Sequence, residues 1–121
     1  MTDDEVREHM DACRRSADEE ALRFKESSLV GERLRSMYEK FDMTERRAAD
    51  EVIGEWALSN DEALRFDALS LIDEFAVTTA VPALIGLASR LATSTAPGAP
   101  FEILKVKRII ESLRRLRDHR G

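Results

Sequence analysis

The stretch DEALRFDALSLIDEFAVTTAVPALIGLASRL, running from Asp61 to Leu91, decides the class of fold. Leu64, Ala68, Leu71, Ile72 and Phe75 recur at steps of three and four, which places them on one face of an α-helix. Asp67, Asp73 and Glu74 fall largely away from that stripe. Just ahead, Ser59-Asn60-Asp61-Glu62 has the form of a capping box, Ser followed three residues later by Glu. The β-branched and hydroxyl-bearing run Val77-Thr78-Thr79-Ala80 then interrupts the pattern. Pro82 follows in the first turn of another helix, where its missing N–H costs nothing, and Val81, Leu84, Ile85, Ala88 and Leu91 continue the apolar side. Two amphipathic helices with so short a join predict an antiparallel hairpin over residues 60–92.

Working outward, Asp42-Met43-Thr44-Glu45 is a second capping signal, opening a helix with Ala49, Val52, Ile53, Trp56 and Ala57 as its buried side. Trp56 and Phe75 read as core anchors, and Met37, Tyr38, Phe41 and Met43 as a softer cluster at the middle junction. Downstream, Thr93-Ser94-Thr95-Ala96-Pro97-Gly98-Ala99-Pro100 is a plain loop. A final helix over 100–118 carries Ile103, Val106, Ile110, Leu113 and Leu116 on one stripe. The first forty residues are helical in pattern, but Thr2 with Glu5 and Ser16 with Glu19 both match a capping box. One long helix and a break near Arg15-Ser16 therefore both fit. The expectation is an all-α protein, five to six helices in antiparallel hairpins, forming one domain over 1–121.

Composition agrees. Hydrophobic residues make up 43% of the 121, enough for a core, while Gly and Pro number only five and three. Ala, Leu, Arg and Glu lose little side-chain freedom in a helix, which favours that class. No apolar run reaches the roughly 18–20 residues needed to span a bilayer. The start, Met1-Thr2-Asp3-Asp4-Glu5, is acidic where a secretory leader would be basic and then apolar, so a cytoplasmic location is expected. Cys13 is the single cysteine, which excludes an internal disulfide and a thiolate metal cage.

Net charge is −5, unevenly spread. Residues 1–100 hold 12 basic and 21 acidic side chains, whereas residues 101–121 hold 7 basic and 3 acidic. The acidic part would repel phosphates, so nucleic acid is not its expected partner; a basic protein is. Helix dipoles offer a purely structural account, since acids favour early turns and bases favour C-terminal ones.

Glu20-Ala21-Leu22-Arg23-Phe24 recurs as Glu62-Ala63-Leu64-Arg65-Phe66, 42 residues later, and Ser28 with Ser70 and Leu29 with Leu71 keep the register. About 40 residues is the period of helix-pair solenoids. A rival offset of 19 pairs Ile53, Glu55 and Trp56 with Ile72, Glu74 and Phe75. Residues 61–91 resemble a HEAT-like repeat of the bacterial type: an Ala- and Leu-rich first helix, a short turn, then Ala80-Val81-Pro82-Ala83-Leu84 opening the second. The resemblance implies a right-handed stack of helical hairpins. It departs in the turn, where Phe75-Ala76-Val77-Thr78-Thr79 replaces the usual Gly-Asp pair.

Catalytic constellations are missing from the sequence: it has no Gly-rich phosphate loop, no His-Glu-x-x-His, no Gly-x-Ser-x-Gly and no clustered cysteines. His9 and Cys13, four apart on one helical face, offer two metal ligands where zinc takes three or four. His119 reads as a solvated terminal residue. Neighbouring acids such as Asp50 and Glu51 point about 100° apart on a helix and cannot act as a catalytic pair. No enzyme activity, cofactor or metal is expected.

The segment from Glu45 to Glu74 holds nine acids against Arg46, Arg47 and Arg65. If its two helices lie side by side, they present a negative surface that would speed encounter with a basic protein. The last helix, with Lys105, Lys107, Arg108, Arg114, Arg115, Arg117 and Arg120, could in principle take nucleic acid. Phe101 is its single aromatic, too few for base stacking, so dipole complementarity and salt bridges to the acidic helices are the expected role. Size, acidity and the hairpin together resemble the helical immunity proteins of bacterial polymorphic toxin systems. That resemblance implies a non-catalytic, cytoplasmic inhibitor that blocks a cognate basic toxin domain. The expected contacts are Asp50, Glu55, Asp61, Glu62, Asp67, Asp73 and Glu74. A homo-oligomeric scaffold built on the open ends of the repeat is the second reading, and a nucleic-acid-associated factor the third.

Overall fold

The structure, a computed structural model, describes the backbone of residues 1–24 and 29–120 and the side chains of residues 1–22 and 29–116. The Ser28 pairing of the internal echo, and the side chains of Arg117, His119 and Arg120, lie outside the described residues. The fold is all-α, with no strand among the described residues. Six helices follow in order: α1 (Asp3–Phe24), α2 (Leu29–Lys40), α3 (Met43–Ala57), α4 (Glu62–Phe75), α5 (Val81–Ala92) and α6 (Ala99–Arg120), with one 3-10 turn at Thr78–Ala80. They group into two compact units, Met1–Val52 and Ile53–Gly121, whose boundary falls inside α3.

In the first unit, Glu5 N–H donates to Thr2 Oγ1 at 3.2 Å and the Thr2 hydroxyl donates back to Glu5 Oε1 at 3.1 Å, so the expected capping pair opens α1. The helix then runs unbroken through Arg15 and Ser16, and the second match, Ser16 with Glu19, lies inside it. Val6, Met10 and Ala17 stand on the face that α1 buries, and Val30, Leu34, Met37 and Tyr38 on that of α2. A reciprocal capping box starts α3: Asp42 N–H donates to Glu45 Oε1 at 3.0 Å, and Glu45 N–H to Asp42 Oδ1 at 2.8 Å. Met37, Tyr38 and Phe41 are buried as expected, but Met43 is 77% exposed. The reason is helical phase: five residues before Ala48, Met43 points well away from the face formed by Ala48, Ala49 and Val52.

In the second unit, Ile53, Trp56 and Ala57 close α3 with their side chains buried. The residue that caps α4 is Asp61, not Ser59. Its carboxylate accepts from Ala63 N–H at 3.0 Å and Leu64 N–H at 3.4 Å, while Ser59, whose Oγ accepts from Asp61 N–H at 3.1 Å, stands two positions too early to cap. The helix ends in a Schellman-type turn: Val77 N–H reaches Ile72 O at 3.1 Å, and Ala76 takes the left-handed conformation at φ 51° and ψ 56°. A left-handed residue at such a helix end is commonly glycine. Alanine adopts the same backbone at a steric cost, and the apolar pair Ile72 and Val77 is buried beside it.

The sequence pairs α4 with α5, yet the closest backbone approach in this unit is between α5 and α6. Ala88 and Ala92 of α5 stand opposite Ile103 and Ile110 of α6 across a hollow between the two helices. Leu69, Leu87 and Ile109 are buried, although the expected stripes omitted them. Ile85 and Leu116, which the stripes included, are 43% and 42% exposed. The echo at 42 residues is not a structural repeat, because Glu20–Phe24 ends α1 whereas Glu62–Phe66 begins α4.

Candidate protein-binding surface

The seven acids differ in exposure and in what already engages them. Asp50 belongs to the first unit and is half-buried: Tyr38 Oη donates to its Oδ1 at 2.7 Å. Desolvation pushes the Asp50 carboxyl above its usual range, opposed by the Tyr38 hydrogen bond and the Arg46 charge. It ties α2 to α3 and is engaged there rather than free for docking. Asp61 is exposed but committed to capping α4. Asp67 is half-buried in mid-helix, and both it and Glu55 already have interaction partners.

Glu62, Asp73 and Glu74 remain as exposed acids of α4. Their positions matter more than their number. Glu62 lies in the first turn, where the helix dipole favours an acid. Asp73 and Glu74 lie in the last turn, where no basic residue is present and the dipole opposes them. Glu55 likewise sits in the last turn of α3, again with no basic residue there. The purely structural account of the charge pattern therefore covers Glu62 but fails at Asp73 and Glu74.

Between Glu62 and Asp73, four residues on and seven residues back, the same side of α4 carries Phe66, 59% exposed. Lys105 of α6 places its ammonium 4.2 Å from the centre of the Phe66 ring. On α6, Phe101 and Leu104 lie four and one residues before Lys105 and are 77% and 67% exposed. Phe66 thus lies against Lys105, Phe101 stands on the same side of α6 one turn earlier, and Leu104 is exposed on the adjoining side. These three were not legible as site residues, because an aromatic off the buried stripe gives no signal until the neighbouring helix is placed.

The expected salt bridging between basic α6 and acidic α4 exists, with the signs reversed. Arg65 of α4 grips Glu102 of α6 in a bidentate pair at 2.8 and 2.9 Å and also donates to Ser59 O at 3.1 Å. Both side chains are nearly covered, at 13% and 15% exposure. The bond to Glu102 raises the Arg65 pKa. On α6 itself, Arg115 pairs with Glu111 at 2.6 Å.

Elsewhere the chemistry is quiet. His9 stacks edge-on against Phe41 with centroids 5.9 Å apart, and Cys13 Sγ lies 3.8 Å from Arg33 O. Burial pushes the Cys13 thiol up, against the pull of Arg33, which leaves it a poor nucleophile. No group of three or more His, Cys, Asp or Glu able to hold a metal occurs among the described residues, and no helix among them is long and apolar enough to cross a membrane. No protein-family model, curated protein or solved structure matches the chain.

Proposed function

We propose that the chain is a non-catalytic protein-binding module whose second unit docks a basic protein. The observation that carries this reading is the placement of the exposed Asp73 and Glu74 in the last turn of α4, where the helix dipole disfavours acids and no base lies in the turn. Acids kept where folding disfavours them are explained by a ligand that wants them. Phe66, Phe101 and Leu104 supply the apolar anchors that such interfaces concentrate at their centres. Glu62, Asp73 and Glu74 would then steer encounter and set the salt dependence.

Within this class, an immunity-type inhibitor of a bacterial toxin domain, built on HEAT-like hairpins and acting in the cytoplasm, accords with the small size and acidic charge. Self-association is the second reading, favoured by the same exposed Phe101 and Leu104. Nucleic-acid binding is disfavoured, since the basic helix α6 carries one aromatic, Phe101, too few for base stacking.

The test is affinity capture from the native host at low and high salt, with the mass of the purified chain measured alongside. One stoichiometric basic partner, lost from a Phe66→Ala/Phe101→Ala variant and slowed in association by Asp73→Lys/Glu74→Lys, supports the proposal. A partner held equally by both variants, or recovery of the bait alone as a dimer, refutes it.

A further inference from the structure

A second concave feature of the same unit lies on the other side of α6. The α5–α6 groove encloses about 500 Å³ between Ala88 and Ala92 on one wall and Ile103 and Ile110 on the other. The two alanines hollow it out, because larger residues at an i, i+4 pair would fill the space. Its rim carries Lys107, Glu111 and Arg114, all exposed. Glu111 is bound by Arg115 at 2.6 Å, so its charge is already answered. Lys107 and Arg114 have no acidic partner among the described residues. Seven residues apart, they stand on the same side of α6, about 10 Å from one another along the axis.

We infer that this groove binds a single-chain amphiphilic anion, with an alkyl chain along the alanine–isoleucine floor and a carboxylate at Lys107 or Arg114. The volume falls in the range of small-molecule sites, which are mostly apolar with a few placed polar groups. An α-helix, about 10–12 Å across with its side chains, would rest on the rim without filling the hollow. The two cations outnumber the one acid of the rim, Glu111, which Arg115 already holds, so the rim selects an anionic head group, and the ligand is a free monomer and not a bilayer surface. The inference does not rest on the protein-docking proposal, since neither Phe101 nor Leu104 lines the groove.

The experiment is calorimetric titration of the whole chain with dodecanoate, kept below the concentration at which it forms micelles. One-to-one binding with a Kd on the order of 10–100 μM is expected for a ligand of this size. Octanoate should bind at least about tenfold more weakly, because four fewer methylenes leave water. Lys107→Glu/Arg114→Glu should weaken dodecanoate about tenfold or more, and Ala92→Phe, which plugs the groove from an exposed position, should abolish the signal. Far-ultraviolet circular dichroism shows that both variants keep their helices, and Lys40→Glu in the first unit serves as a neutral control. Equal affinity in the reversed and plugged variants overturns the inference, as does equal binding of dodecyltrimethylammonium. Retention on anionic vesicles without binding of monomeric dodecanoate would also overturn it, in favour of a membrane surface.

Discussion

Replacing Tyr38 with Phe removes one hydroxyl and nothing else, and the structure says what that hydroxyl does. It donates to Asp50 Oδ1 at 2.7 Å, across twelve residues of sequence, from a ring that is buried. Arg46 lies over the same ring, its guanidinium carbon 5.0 Å from the centroid. A hydrogen bond to a charged acceptor contributes about 1.5–3 kcal/mol. Asp50 is only half-buried, so water recovers part of that loss in the variant, and the lower end applies, about 1.5 kcal/mol. For a unit of this size the change lowers Tm by something on the order of 5–10 °C. The pH dependence gives a second reading. Burial and Asp50 both raise the Tyr38 pKa above its ordinary value of 10.0, so its stabilising contribution is full below pH 10 and is lost as pH rises through the folded value. Wild type should therefore lose stability on alkaline titration faster than Tyr38→Phe, and the two curves should converge. Urea melts at pH 7 and at several values above 10 measure both effects. A loss under about 0.3 kcal/mol at pH 7, with parallel alkaline limbs, would refute the claim that this bond joins α2 to α3.

Three further outcomes follow from the geometry. Asp50→Asn keeps an acceptor for Tyr38 and removes a carboxyl whose folded pKa is raised; burial favours its protonated form, so its stabilising contribution is full at low pH and is lost as pH rises through the carboxylate range, and the variant should gain on wild type over that rise, measured by melts between pH 3 and 7. Ala76→Gly should stabilise the chain by about 0.5–1 kcal/mol, because glycine takes the φ of 51° without the steric cost alanine bears there; a loss in thermal melts would show the turn is unstrained. Asp61→Ala should cost about 1 kcal/mol by uncapping α4, whereas Asp61→Asn should cost much less; equal losses would mean the charge and not the cap is what matters.

What the sequence by itself determined was local. Helix class, the capping pairs Thr2–Glu5 and Asp42–Glu45, and the burial of Val52, Ile53, Trp56, Leu71 and Ile72 follow from spacing and hydrogen-bonding chemistry within a few residues. Short-range signals also misled by short-range amounts: Ser59 sits close enough to Glu62 to mimic a cap, yet Asp61, two residues later, has the geometry to reach the free N–H groups. The acidic surface was half legible. Composition marked residues 45–74 as rich in acids, but not that Asp50 would be claimed by Tyr38 or Asp61 by its own helix.

Only the tertiary structure decided which side chains were left over. Arg65 and Glu102, thirty-seven residues apart, neutralise each other because α4 and α6 meet there, and the same meeting sets Lys105 on Phe66 and leaves Phe101 and Leu104 bare. A helix's periodicity shows which face is apolar. It cannot show how wide a strip the neighbouring helix covers, since that depends on axis distance and on small residues such as Ala88 and Ala92. Exposure at the edges of a stripe, and with it the docking surface and the groove, is a property of pairs of helices and not of any one of them.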